Sequence, residues 1–322
     1  MHRHLLPFVL LAGLALPAAA QGFTEDTIDT GTQPNTGPTI APARQISFFA
    51  SAYTDLYIPA RAKGSNGGDL DSYSLGAQIT ADIPIGDRSQ LSIRVDQTST
   101  GYGFDSFTAF GPFASEPIDF GLDSGISAVF ARTLENNWTL SGGARVNFAG
   151  ETSADFGDSL IFGGFFGAKY RYSDALSVGF ILGVFSQLED DPVVVPLPIV
   201  EWQIDTYWRL DAGFVDSSGR PGVALTNQLD DQWSIGASIS TDFKQFRLEN
   251  SNSAAPGGTF SDLTVPIMFV TKWKPEPNIT ITGQVGTMIY RKVELQTSSG
   301  SRIGNSELKP TLGFGLGAEI SF

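Results

Sequence analysis

Carboxylates are the chief source of acid–base or metal chemistry in this 322-residue chain, because it has no cysteine and only two histidines, His2 and His4. Imidazole is the side chain whose ordinary pKa lets it take and return a proton near neutrality. Both histidines lie ahead of a short apolar run and are expected to leave with it, which excludes histidine-dependent hydrolases from the mature chain. Thiol nucleophiles and Cys/His metal sites are excluded in the same way. Acid runs at Glu189-Asp190-Asp191 and Asp230-Asp231 have the types needed for glycoside hydrolysis or calcium. Their loop and turn contexts read instead as solvated turn residues. Gly313-x-Gly315-x-Gly317 has a period of two inside a strand pattern, with no helix following to hold a phosphate. No catalytic residue, metal site or cofactor is expected.

What remains is a set of charges sharing one parity: Asp82, Arg94, Asp96, Asp123, Arg145, Lys169, Arg171, Arg209, Asp211, Lys272 and Glu319. The elements that carry them alternate strictly. Tyr73, Leu75, Ala77, Ile79, Ala81 and Ile83 interleave with Ser72, Ser74, Gly76, Gln78, Thr80 and Asp82. The same pattern runs through 91–96, 138–148 and 233–240. Period two marks strands with two unlike faces. Stretches of ten to sixteen residues exceed ordinary globular strands and suit a tilted membrane crossing of about 9–11 residues. If the apolar parity meets lipid, the charges point into a lumen, since an Arg or Lys facing lipid at mid-depth costs about 2–4 kcal/mol. They either set crossed fields around a wet pore or pair into a ladder that seals it.

The N-terminus supports export. Met1-His2-Arg3-His4 precedes an apolar run from Leu5 to Leu16 and then Pro17-Ala18-Ala19-Ala20-Gln21. A basic start, a short hydrophobic stretch and a small-residue site form a secretory signal over 1–20, cleaved after Ala20. A spanning helix needs about 20 apolar residues. Residues 21–44, rich in Thr, Pro and Gly, read as a flexible periplasmic lead-in, or else as a plug. The formal charge is −14, and loss of Arg3 makes the remainder more acidic still, which argues against nucleic acid as a partner. Charged residues make up only 17%, and 36 glycines and 24 phenylalanines spread apolar character thinly over many short segments.

Connections alternate in length. Short turns are expected at 86–88, 135–137, 173–174, 205–206, 230–232 and 274–278, and longer connections near 59–69, 101–117, 149–158, 189–196, 249–259 and 296–306, with a shorter outer turn near 216–221. Short periplasmic turns and long external loops are the habit of bacterial barrels. Six turns and seven outer connections join fourteen strands, or twelve if the proline-bearing region 196–230 is irregular. All five tryptophans (138, 202, 208, 233 and 273) fall near short turns, as an interfacial girdle would place them.

Leu312, Phe314, Leu316, Ala318, Ile320 and Phe322 alternate with Thr311, Gly313, Gly315, Gly317, Glu319 and Ser321. This closing pattern resembles the C-terminal assembly signal of outer-membrane barrels, which implies an all-β, antiparallel up-and-down transmembrane barrel over 45–322, in the outer membrane of a Gram-negative bacterium. It also implies outer-membrane lipid and the barrel-assembly machinery as partners. Between Pro196 and Leu248, Pro196-Leu-Pro-Ile-Val-Glu-Trp202, Trp208-Arg-Leu, Leu229-Asp-Asp-Gln-Trp233 and Phe246-Arg-Leu248 resemble an uncharacterised, unknown-function family of bacterial barrel proteins. That resemblance implies architecture and no activity. The expected function is passive diffusion of small hydrophilic solutes. The alternatives are a non-conducting barrel acting through its outer loops and a hatch-gated channel for apolar ligands.

Overall fold

The computed structural model describes residues 45–63, 67–111, 114–215 and 219–322; the expected signal segment 1–20 and lead-in 21–44 lie outside them. The described residues form sixteen strand segments and meet every period-two expectation. They are β1 (Ser47–Arg61), β2 (Asp69–Pro84), β3 (Ser89–Asp105), β4 (Phe120–Thr133), β5 (Trp138–Gly150), β6 (Leu160–Ser173), β7 (Leu176–Phe185) and β8 (Val193–Gln203). Next come β9 (Trp208–Phe214), β10 (Pro221–Gln228), β11 (Trp233–Ser240), β12 (Asp242–Arg247), β13 (Thr259–Glu276), β14 (Ile279–Gln296), β15 (Arg302–Glu307) and β16 (Thr311–Ser321).

Antiparallel pairing runs from each strand to the next through β11, then β11–β13–β14–β16, and β16 returns to β1. β11 and β12 both pair with β13, and β15 and β16 both pair with β14. Each of those couples is therefore one broken strand, and the barrel has fourteen staves. Closure of β16 on β1 removes the two outermost sheet edges that an open fourteen-stave sheet would expose.

The parity falls as expected. Leu75 and Ile79 are each 61% exposed on the outside, whereas Ser74 and Thr80 are buried inside. The tryptophans stand outward near the short turns, with Trp233 and Trp273 paired across β11–β13 and stacked at 5.7 Å. Asn137 takes the left-handed φ of 66° that its turn needs. In the turns after β8 and β10, Asp205 and Asp230 each accept two backbone N–H bonds at 2.8 Å through Oδ1.

Three loop bounds need correction. Val193–Pro196 belongs to β8, so the connection before it is 186–192. Pro196 and Pro198 are accommodated because the β8–β9 ladder runs only from Val200 to Gln203, leaving nothing on that side to receive a proline N–H. The connection placed at 101–117 spans 106–119, and the one placed at 296–306 is only 297–301, because Arg302–Glu307 continues the ladder of β14.

One line of irregularities crosses five neighbouring staves at a common height. β1 shifts register between Tyr57 and Ala60, β13 between Val265 and Pro266, and β11 breaks from β12 at Thr241. β14 bulges at Ile289, opposite the β13 shift, and β15 breaks from β16 over Leu308–Pro310. Pro59, Pro266 and Pro310 lie on this line. Proline withdraws a ladder donor and a bulge bends its strand, so several in a row crease a sheet. Above the crease, β12 turns off the wall and crosses the lumen to meet β5, where Arg247 pairs with Gly150. β5 stands seven staves from β13, diametrically across the ring.

Candidate functional site

The inward flap and the wall below it form the candidate site. The flap comprises β12, the outer ends of β13 and β14, and β15. The face it turns to β1–β3 is apolar toward the outer loops, where Phe246, Phe260, Val293 and Leu295 share one buried cluster with Leu70, Tyr102 and Phe107, and polar nearer the crease, where Asp242 and Lys244 share the parity of Phe246. Tyr102 meets the edge of Phe260 at 5.0 Å. Gly121 makes room on β4, since a Cβ there would strike the Phe246 ring.

At its free edge the flap is tied down by polar contacts. Arg247 Nη1 donates to Glu189 Oε1 at 2.6 Å and to the Gly257 carbonyl at 2.7 Å, while Nη2 reaches the Asp158 carbonyl at 2.9 Å. The Gln245 side chain both donates to and accepts from the Leu188 backbone at 3.0 Å, imitating a strand partner. Glu249 N–H donates to Glu151 Oε2 at 2.7 Å. Burial pushes the Glu151 carboxyl above the ordinary glutamate range, against the opposing pull of that bond and one from Asn252.

Under the flap lies a charged centre that sequence reasoning missed. Arg220, reaching in from the outer end of β10, lies 3.2 Å from Asp55 and 3.9 Å from Asp242, and Lys244 lies 3.3 Å from Asp242. Lys244 also donates to Ser74 at 2.8 Å, and Arg291 donates to Ser72 at 2.9 Å, fastening the flap to β2. The space left among Asp55, Asp96, Asp123, Arg220, Asp242 and Lys244 is about 40 Å³, room for a few waters at most. The flap and these charged side chains together narrow the lumen at this level.

Several of the charges expected inside come together below. Arg145 grips Asp96 with two bonds of 2.6 and 2.7 Å and reaches Asp123 at 3.5 Å. Asn147 supports Asp123 at 3.1 and 3.2 Å. Lys169 pairs with Glu201 at 2.8 Å, and Arg209 with Asp211 at 2.8 Å. Arg94 is buried, yet its Nε and Nη1 make no hydrogen bond among the described residues. Asp82, Arg171, Lys272 and Glu319 are half-buried nearer the short turns. These groups are joined in ion pairs along and between staves.

One expectation about this face is corrected. On β6–β8 the inward parity is not small and polar: Phe165, Ile181, Phe185, Val195 and Leu197 form a buried apolar cluster with Val129. The middle of the lumen thus has a polar wall on β1–β5 and, next to it around the ring, an apolar wall on β6–β8. Both faces of β6–β8 are apolar, so alternation could not show which residues turn inward. Lys244 and Arg247 escaped notice because β12 is buried on both sides and shows no clean alternation. The readable signals were Pro266 and Pro310, prolines inside what otherwise read as long strands.

Comparison with curated proteins gives no match. Among solved structures, the COG4313 outer membrane channel of Pseudomonas putida F1 is similar at 12% identity and a TM-score of 0.46, covering 90% of this chain and all of that one. The P. putida toluene transporter TodX follows at 8% identity and 0.43, covering 86% and 90%. A Pseudomonas aeruginosa FadL homologue stands at 11% and 0.44, covering 85% and 90%. At these values the likeness concerns the course of the chain, and what those proteins carry is their own property. The family described as Domain of unknown function (DUF6268) matches residues 46–321 of this closed fourteen-stave barrel, and the chain belongs to it.

Proposed function

We propose that this barrel is an outer-membrane channel that rests closed, with the creased flap as its gate and small hydrophilic solutes as its cargo. The observation that carries this reading is the polar underside of the flap. Asp242 and Lys244 meet Asp55, Arg220 and Ser74 there, directly above the column of Asp123, Asp96 and Arg145. A permanent seal has no need of such groups, since replacing buried ion pairs by packed apolar residues is often neutral or stabilising. Charges on a movable flap rehydrate when it lifts, and the polar wall then lines a continuous path.

Planar-bilayer conductance tests the proposal. Wild-type protein is expected to show rare openings, and Arg247→Ala, which loosens the flap edge, long-lived ones. If the loosened barrel still shifts in gel mobility on boiling but never conducts, the channel reading fails and the non-conducting barrel replaces it. The apolar wall of β6–β8 favours a second reading, passage of apolar ligands. Liposome swelling separates the two: uptake of small sugars supports the first, and exclusion of sugars with entry of small hydrocarbons supports the second. A hatch built from 21–44 concerns residues outside the described ones.

A further inference from the structure

A second concave surface lies on the outside of the barrel, away from the lumen. It spans two outward rows on β2–β6 as a shallow, open dish of about 520 Å³ with walls that are mostly apolar. The lower row is Ile79–Val95–Ile126–Val146 and the upper is Ala77–Gln97–Ser124–Phe148, each read directly across the strand pairings. Ala77 and Ser124 are small and flank Gln97, whereas Ile79 and Val95 below them stand 61% and 56% exposed, so the surface is dished. Phe156, from the outer loop after β5, comes down over its upper end and stacks on Phe148 at 5.8 Å with an interplanar angle of 12°. Phe156 is 67% exposed although its loop is otherwise acidic and polar.

We propose that this groove holds an acyl chain of a membrane lipid, with Phe156 as a clasp over the chain. The occupant follows from where the groove lies. Its outward rows carry no charge and belong to the lipid-facing parity, so hydrocarbon surrounds them. A second copy of the barrel fits poorly, because an isologous contact would set one concave surface against another and leave a void. A slender chain fills a dish two rows wide. Gln97 and Ser124 supply the polar end of the site: they face each other across β3–β4, level with Phe148 near the outer end of β5. There they can bond an ester carbonyl or hydroxyl where the chain joins its headgroup. The loop above bears Glu151, Asp155 and Asp158, which oppose direct phosphate contact, so recognition rests on the chain and its linkage.

The test is native mass spectrometry of the full protein in mild detergent, first as purified and then delipidated and re-exposed to dipalmitoyl phosphatidylethanolamine. One retained lipid per barrel is expected. Phe156→Ala and the groove-filling Ser124→Trp are each expected to weaken retention about tenfold, equivalent to about 1.4 kcal/mol. Leu316→Ala, on another part of the lipid-facing surface, is expected to leave it unchanged. Heat-dependent gel mobility establishes that each variant is a folded barrel. Equal retention by folded Phe156→Ala, folded Ser124→Trp and wild type overturns the proposal, as does a bound free fatty acid or a dimer in place of lipid.

Discussion

Arg291 on β14 clamps Asp262 on β13 just above the crease, with Nε 3.1 Å from Oδ1 and Nη2 2.7 Å from Oδ2. Both side chains are almost wholly buried, at 1% and 4% exposure, and Arg291 also reaches Ser72 on β2. The pair therefore ties the root of the flap to itself and to the wall beneath. Asp262→Ala strands a buried guanidinium, and such breaks typically cost about 3–5 kcal/mol. The expected result is a barrel that still closes below the crease but whose flap amides exchange hydrogen quickly. Unchanged exchange over 242–247 and 291–296 refutes that role.

At the flap's far edge the contacts gather on buried Arg247 and Gln245. Arg247→Lys keeps the charge but cannot span Glu189, Gly257 and Asp158 together as the guanidinium fork does. We expect Arg247→Lys to raise open probability in bilayers partway toward the alanine variant. Wild-type behaviour would mean that charge alone holds the edge.

Glu151 gives the closure a pH dependence. Its carboxyl is held above the ordinary range by burial in the closed state, so that state binds the proton more tightly than an opened, solvated one. The contribution to closure is fully present below the ordinary glutamate range and is lost as pH rises through the elevated value. Glu151→Gln fixes the neutral form. It is expected to lower open probability at neutral pH by less than about tenfold and to flatten its pH profile. A Gln variant that opens more readily than wild type contradicts this.

Phe165 lies over Gly143 inside the barrel, and a Cβ at Gly143 would also meet the Ala128 carbonyl. Gly143→Val should force that ring from the apolar wall, at about 1–3 kcal/mol for overpacking. Lower unfolding resistance in urea, with heat-dependent mobility retained, is the expected readout. Gly142→Val is the control, because its Cβ direction is outward and meets only a carbonyl at 3.5 Å.

How far the chain could be read before its structure was known follows from where alternation survives. β2, β3, β5, β11 and β16 bury one face and leave the other to lipid, so their parity fixed the outward rows and placed Arg94, Asp96 and Arg145 inside. Turn chemistry at Asp205, Asp230 and Asn137 pointed to fourteen staves but left twelve open, because the proline-bearing region 196–230 hides its strands. The flap was not legible. Asp242, Lys244 and Arg247 lie on a strand enclosed on both sides, and their partners Asp55, Glu189 and Arg220 come from distant staves. Nothing local in β12 marks it as leaving the wall; only the prolines on its neighbours record that the sheet must fold there.

The shortness of β9 and β10 has a consequence for the membrane itself. These strands have seven and eight residues, whereas below the crease β13 keeps 266–276 and β14 keeps 279–288 in the wall, eleven and ten residues. Eight residues rise about 26 Å along a strand at about 3.3 Å each. At about 40° of tilt that covers only about 20 Å of the normal, short of an apolar band about 25 Å tall. Lipid beside β9 and β10 must compress while lipid beside β13 and β14 need not. The barrel therefore sits in a lopsided collar of bilayer, thin on one flank, which biases its tilt and the neighbours that settle there.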